Sequence, residues 1–343
     1  MIFADNKQLF GFDKTERIVG VEFVTPNQVQ IFTREADGST SLRSQEFAPF
    51  LWNSSEGTPL EGTLAFDKLM TFPDWRSYQD ARSRFAKAGT PFFASNDPVQ
   101  QYLTFSGSTL FKGMRFEDLR RLQIDVETAI SPGFEFSSPE RDAILAVALS
   151  DGSGWEEIFV VEQDSLESER TVLEGLTAII QERDPDVIEG HNVFKFSLPF
   201  LITRAKKLKV RLSWGREGSI LSSRPSRLQI AEKTIQYPKF TARGRHLVDT
   251  WVLAQYYDIY SRELEGLDLK SVALHFGVSQ TDRVLLEGSD LQRAYREDRE
   301  VFRACALQNV RETRALAAIF SRSYFIQAQI FPYNYQDAVI RGN

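Results

Sequence analysis

"LRRLQIDVETAI", residues 119–130, reads as a buried strand, yet it holds Asp125 and Glu127. Residues i and i+2 of a strand point to the same face, so the two carboxylates lie side by side. Burying one unpaired carboxylate is costly, and two neighbours repel each other. Such a strand must hold something that repays the cost. A pair of hard divalent cations answers the need, because Mg²⁺ prefers carboxylate and water oxygens. In two-metal phosphoryl transfer the ions sit about 3.5–4 Å apart, one activating the attacking water and the other stabilising the leaving oxygen. The alternative is a pair of carboxylates at a strand end, salt-bridged to Arg120 and Arg121.

The surroundings of this strand are α/β. "AILAVALS" (143–150) and "WEEIFVVE" (155–162) are two further strands joined by "DGSG", a hairpin signal. A helix capped by Ser165 or Ser168 follows, with Val172, Leu173, Leu176, Ile179 and Ile180 at helical spacing. "DVIEG" (186–190) is a short buried strand, and "FKFSLPFLITRAKKL" (194–208) is a helix that tolerates Pro199 only near its first turn. Residues 226–237 and 245–253 are extended at least in part. Residues 267–277 form a helix stopped by Gly277, and 296–320 form one long helix or two. This order predicts a mixed sheet with flanking helices, and ligands in such folds gather near strand ends. Residues 1–95 are β-rich, with strands at 18–24 and 28–35 around the turn signal "TPN" and one helix within 66–89.

Composition narrows the classes. A chain of 343 residues that is 42% hydrophobic can bury a sizeable core, and its length suggests two or more domains. The net charge of −6 does not by itself indicate nucleic-acid binding, although local basic patches are compatible with it. Cys305 is the one cysteine, which excludes an internal disulfide and fits a reducing, cytoplasmic setting. The apolar run "AILAVAL" (143–149) is far short of a membrane span.

"DPDVIEGHNVFKFSLPFL" (184–201) resembles the second exonuclease motif of the family B DNA polymerases, with Asn192 and Phe196 matching in place. "GRHLVDTW" (244–251) and "LEGLDLKSVALHFGV" (264–278) resemble the segments that follow it in that family. "ACALQNVRETRAL" (304–316) lies where the third motif falls. Residues 97–128 match the approach to the first motif, and 323–343 look like the bridge into the polymerase palm. The resemblance implies a ribonuclease H-like 3′–5′ exonuclease fold over 97–322, preceded by a smaller β-rich N-terminal domain over 1–96. It also implies Mg²⁺ or Mn²⁺ at the site, and DNA and the remaining polymerase domains as partners.

By the same resemblance four carboxylates carry the two metals, and a Tyr one turn before the last of them helps hold the attacking water. Asp125 and Glu127 match the first motif. Ser197 stands where the second motif has Asp, Asn309 where the third has Asp, and Cys305 where the Tyr belongs. Two negative charges therefore face a task that the family gives to four. Cys305 is too short to replace a phenol and favours softer metals than Mg²⁺. The expectation is a degenerate proofreading site, produced by natural decay rather than engineering, that holds at most one weakly bound ion. The alternatives are an active exonuclease with an altered metal shell and a non-catalytic DNA-binding or scaffolding module.

Asp249 is the nearest candidate to compensate for the lost carboxylates, against a reading as a salt-bridged or hydrogen-bonded strand end, and His191, His246 and His275 read as ordinary polar or satisfied histidines without metal-ligand spacing. "RAKKLKVRLSWGR" (204–216) is either a solvated helix end or a DNA-backbone contact through Arg204, Lys206, Lys207, Lys209 and Arg211. Phe331, Tyr333 and Tyr335 near the end of the chain are apolar groups that call for a partner surface. No metal-binding strand for nucleotide addition is evident in the sequence, and the expectation is a piece of a longer polymerase.

Overall fold

The computed structural model describes residues 13–62, 65–279, 283–286 and 288–341. The chain divides into two compact units, one formed by 1–114 with 325–335 and the other by 115–324 with 336–343.

In the first unit, β1 (Ile18–Val24), β2 (Gln28–Arg34) and β3 (Thr40–Glu46) form an antiparallel sheet. A second small sheet contains β4 (Phe50–Asn53), β5 (Thr58–Pro59), β6 (Lys68–Thr71) and β7 (Phe92–Phe93). Between β6 and β7 lies α1 (Trp75–Ala88), which buries Tyr78, Ala81 and Phe85 beside Leu51. Next comes α2 (Pro98–Ser106), opened by Asp97, whose carboxylate accepts from the Val99 and Gln100 amides. The expected boundary at 96/97 is therefore displaced to 114/115. "NDP" opens α2, and α2 is tied to the first unit through Gln101, whose Oε1 accepts from the Phe50 amide at 3.0 Å. Tyr335, expected to seek a partner surface, is instead fully buried, 5.2 Å from Phe111 in an edge contact, while Phe331 and Tyr333 remain exposed.

The second unit is built on β8 (Arg121–Thr128), β9 (Ile144–Asp151), β10 (Glu156–Val160), β11 (Val187–Gly190) and β14 (His246–Asp249). Their order is β10-β9-β8-β11-β14, antiparallel on the β9 side of β8 and parallel on the β11 side. The hairpin β12 (Ser222–Ile230) and β13 (Lys233–Thr241) forms its own two-stranded sheet. The helices of this unit are α3 (Leu166–Arg183), α4 (Leu198–Leu208), α5 (Thr250–Ser261), α6 (Leu269–His275), α7 (Gly288–Glu297) and α8 (Arg299–Phe320). The region expected as one long helix or two is thus two, with Asp298 as the N-cap of α8. The chain closes with α9 (Arg322–Ile330) and α10 (Tyr335–Arg341).

Alternation along β8 assigns its two faces. Leu122, Ile124 and Val126 enter the main core with Val172, Leu173 and Leu176 of α3 and Phe200 and Leu201 of α4. Gln123, Asp125 and Glu127 face the other way, toward α8. On β9 the residues paired with Asp125 and Glu127 are Ala148 and Ala146, small enough for α8 to approach closely. Ala148 duly packs with Ala306 and Val310. Farther down the same face the Ser150 hydroxyl donates to Gln123, whose amide donates to the buried Glu189 at 2.6 Å. Glu189 also pairs with Arg121 at 3.1 Å. Arg121, one of the two arginines expected to pair with Asp125 and Glu127, is thus committed to Glu189.

Candidate functional site

Asp125 and Glu127 meet Asn309 of α8. The Asn309 amide donates from Nδ2 to Asp125 Oδ2 at 3.0 Å and to Glu127 Oε1 at 3.0 Å. An open cleft of about 650 Å³ surrounds them, lined also by His191, Phe196, Asp268 and Lys270. One uncharged side chain bridges both carboxylates from the place where the sequence suggests a fourth carboxylate.

Electrostatics follow from that arrangement. Burial raises the Asp125 carboxyl above its usual range, against the Asn309 hydrogen bond that favours the charged form. Burial, then repulsion from Asp125, pushes Glu127 up to about 8, with Asn309 and Lys270 opposing. Cys305, one turn before Asn309, is buried, and that burial, reinforced by Glu127, pushes its thiol up to about 11. Without a metal it stays protonated at neutral pH.

The turn leading to the second motif is fixed by Asp249, the N-cap of α5, which of the two strand-end readings takes the hydrogen-bonded one. Its carboxylate accepts from the amides of Asn192 at 2.8 Å, Phe194 at 3.0 Å and Trp251 at 2.9 Å. Burial lifts it to about 6 against those three bonds. Asn192 takes a left-handed conformation, φ 56°, which Asn tolerates better than most residues. Gly190 is required before it, because a Cβ there would meet Val193 Cβ at 2.9 Å and the Ile124 carbonyl at 3.1 Å. The following turn, Val193–Ser197, is a π turn leading directly into α4. Phe196 reaches the cleft, whereas Ser197 is buried and is not part of its lining. His191 donates from Nε2 to the Leu267 carbonyl at 2.8 Å, and its Nδ1 lies 2.9 Å from the Thr250 hydroxyl. Burial lowers it to about 4, so it is neutral and structural.

The basic stretch splits into two kinds of residue. Lys206, Lys207, Lys209 and Arg211 are exposed at the end of α4 and just beyond it. Arg204 is a correction: it is buried, with Nε donating to Glu169 Oε1 at 2.7 Å, a second bond to Glu169 Oε2, and Nη1 donating to the Pro139 carbonyl at 3.3 Å. It cannot reach a phosphate. Helical spacing carried the signal, since Leu201, Arg204, Ala205 and Leu208 share one buried face of α4.

Other residues of the site were not singled out from sequence. Lys270 lies within a quoted motif segment, but its position in the cleft depends on Asp268, whose carboxylate caps α6 by accepting from the Ser271 amide at 3.0 Å. Arg283 donates from Nη2 to Asn309 Oδ1 at 3.3 Å and from Nη1 to the buried Glu312 at 2.5 Å. It lies outside the periodic segments, so no local pattern marks it.

A two-ion centre does not fit these residues. Two divalent ions need several anionic oxygens around them. The described residues contain no cluster of three or more His, Cys, Asp or Glu able to hold a metal. The Asn309 nitrogen has no lone pair to give, and its oxygen is turned to Arg283.

The mixed sheet, its flanking helices and the Asp-x-Glu strand define a ribonuclease H-like exonuclease domain. Residues 107–270 match the family described as DNA polymerase family B, exonuclease domain, and in that region the chain is similar to the family B DNA polymerases. It is 34% identical over 126 residues to a DNA polymerase of Pyrococcus glycovorans, covering 35% of this chain and 16% of that one. It is 28% identical over 230 residues to DNA polymerase 2 of Aeropyrum pernix, covering 65% of this chain and 26% of that one. The fold matches the family B DNA polymerase structure from Pyrobaculum calidifontis with a TM-score of 0.73 at 20% identity, over 94% of this chain and 47% of the other. The aligned regions thus span less than half the length of these relatives. Exonuclease domains of this family depend in general on divalent metal. No helix among the described residues is long and apolar enough to cross a membrane.

Proposed function

We propose that this chain is the N-terminal and exonuclease-like portion of a family B DNA polymerase in which 3′–5′ proofreading has been lost, leaving a domain that associates with DNA without cutting it. The observation that carries this reading is the Asn309 amide held between Asp125 and Glu127. Where two cations would be drawn together by four carboxylates, one neutral donor satisfies two. Ser197 and the protonated Cys305 supply no compensating charge. Residues 13–114 are read as the N-terminal domain of the polymerase, and 323–341 as the approach to its palm. The remaining polymerase domains are the chain's natural partners. The lone buried Cys305 supports a cytoplasmic setting.

DNA contact is assigned to the exposed Lys206, Lys207, Lys209 and Arg211, which would neutralise phosphates without reading sequence. The test is anisotropy of a labelled single strand titrated with the chain at several salt concentrations, beside an end-labelled cleavage assay with Mg²⁺. The expected result is salt-dependent binding with negligible cleavage. Replacing Lys206, Lys207 and Lys209 by Glu should weaken binding to all sequences alike. It should also flatten the log–log salt slope by about 2, at ~0.7 for each phosphate no longer neutralised. Unchanged affinity and slope would return this stretch to a solvated helix end. Robust cleavage that Asp125→Ala abolishes would favour an active exonuclease with an altered metal shell.

A further inference from the structure

The Asn309 amide can face the carboxylates with its nitrogen or with its oxygen, and the two orientations have opposite consequences for a cation. With Nδ2 inward it hydrogen-bonds Asp125 and Glu127, as observed. With Oδ1 inward it would set oxygen against oxygen unless the Glu127 proton or a cation lay between, and with a cation it would be a metal ligand. Something must choose.

We infer that Arg283 is a positioning residue that fixes the Asn309 amide with its nitrogen toward Asp125 and Glu127 and so keeps divalent ions out of the site. Its Nη2 donates to Asn309 Oδ1 at 3.3 Å, a bond that the reversed amide would replace by donor facing donor. Arg283 is held in turn by the buried Glu312 through Nη1 at 2.5 Å. The segment carrying it is fastened at two further points. The Val284 amide donates to Gln308 Oε1 at 3.1 Å, and the Leu286 carbonyl accepts from Lys270 Nζ at 3.3 Å. Gln308, Asn309 and Glu312 all lie on α8, so one helix anchors both Arg283 and the amide it orients.

This inference rests on the reading of the site as metal-poor and adds a consequence. Restoring a carboxylate at position 309 should not by itself restore metal binding, because Arg283 would pair with the new carboxylate and offset its charge. The experiment is Mn²⁺ binding to the 343-residue chain at neutral pH, read by calorimetry and by the fading of the free-Mn²⁺ electron spin resonance signal. The variants are Asn309→Asp, Asn309→Asp/Arg283→Lys and Asn309→Asp/Arg283→Gln/Glu312→Gln. The triple variant removes charges of both signs around Arg283, so the added affinity would not be a simple gain of net negative charge. The pair Asn309→Asp/Arg283→Gln, which keeps Glu312, gives the same comparison with a different burden on folding.

Asn309→Asp alone should tighten Mn²⁺ binding by less than about threefold, and the Arg283→Lys version should stay with it. Removing the arginine should add at least about tenfold, since an opposite charge within hydrogen-bonding reach shifts a carboxylate's interactions by that order. Full gain from Asn309→Asp alone, with nothing added by Arg283→Gln, would overturn the role of Arg283 while leaving the metal-poor reading intact. Two tight Mn²⁺ ions on the unaltered chain would overturn that reading itself.

Discussion

Combining Ser197→Asp with Asn309→Asp should give some shortening of single-stranded DNA by a chain expected to leave it intact, and replacing Arg283 as well should bring the rate to at least about 100-fold over background, the scale on which one preorganised electrostatic group acts in a transition state. Adding Cys305→Tyr should raise the rate further by restoring a phenol one turn before position 309. The gains should be strongly non-additive, because residues acting as a unit contribute little singly. Ser197→Asp alone should be the poorest variant, since it adds a carboxylate at a buried position without completing the set. If Arg283 acts as inferred, the combined variant should improve again when Arg283 is replaced. Cleavage would be followed from a 5′-labelled strand with Mg²⁺ or Mn²⁺. No gain in any combination, with folding intact, would mean that the loss of activity lies beyond these three positions.

Removing Arg204 should destabilise the second unit by about 3–5 kcal/mol, because it leaves the buried Glu169 without its counter-charge. Glu169 also accepts from the Ile144 amide at 3.0 Å, so this pair ties α3 and α4 to the start of β9. A loss of that size corresponds to a fall in melting temperature of roughly 10 °C for a unit of about two hundred residues. Arg204→Ala should therefore lower DNA binding only through unfolding, whereas Lys207→Ala, at an exposed site, should stay within about 0.5 kcal/mol of the parent. Arg204→Met with Glu169→Leu should recover much of the stability, since an apolar pair of similar volume avoids the isolated charge. Urea and thermal unfolding measure all three. Arg204→Ala within about 1 kcal/mol of the parent would contradict the assignment of this pair as a structural anchor.

The contrast between these two predictions shows what the chain discloses before it is folded. Asn309 and Cys305 came to notice only through the resemblance to the third exonuclease motif, whereas the two-residue period of β8 set Asp125 and Glu127 on one face, because strand periodicity is a local property. Asp249 was legible for the same reason: an aspartate at a strand-to-helix junction has orphan amides to accept from. Other features depend on contacts distant in sequence. Arg283 acts on a residue 26 positions away from a segment with no periodicity of its own. The role of Ala146 and Ala148 in admitting α8 appears only once β8 and β9 are paired. Arg204 is an intermediate case. Its charge suggested a solvated helix end or a phosphate contact, and only its burial against Glu169, on the face it shares with Leu201 and Leu208, shows the core role.

Asn309 stands between Asp125 and Glu127 where divalent cations would otherwise be expected. A crystal of the chain soaked in millimolar Mn²⁺ and measured for anomalous scattering beside Asp125 tests this most directly. No more than one weakly occupied ion is expected, with the Asn309 amide still donating to both carboxylates. Two well-ordered ions about 4 Å apart would contradict it.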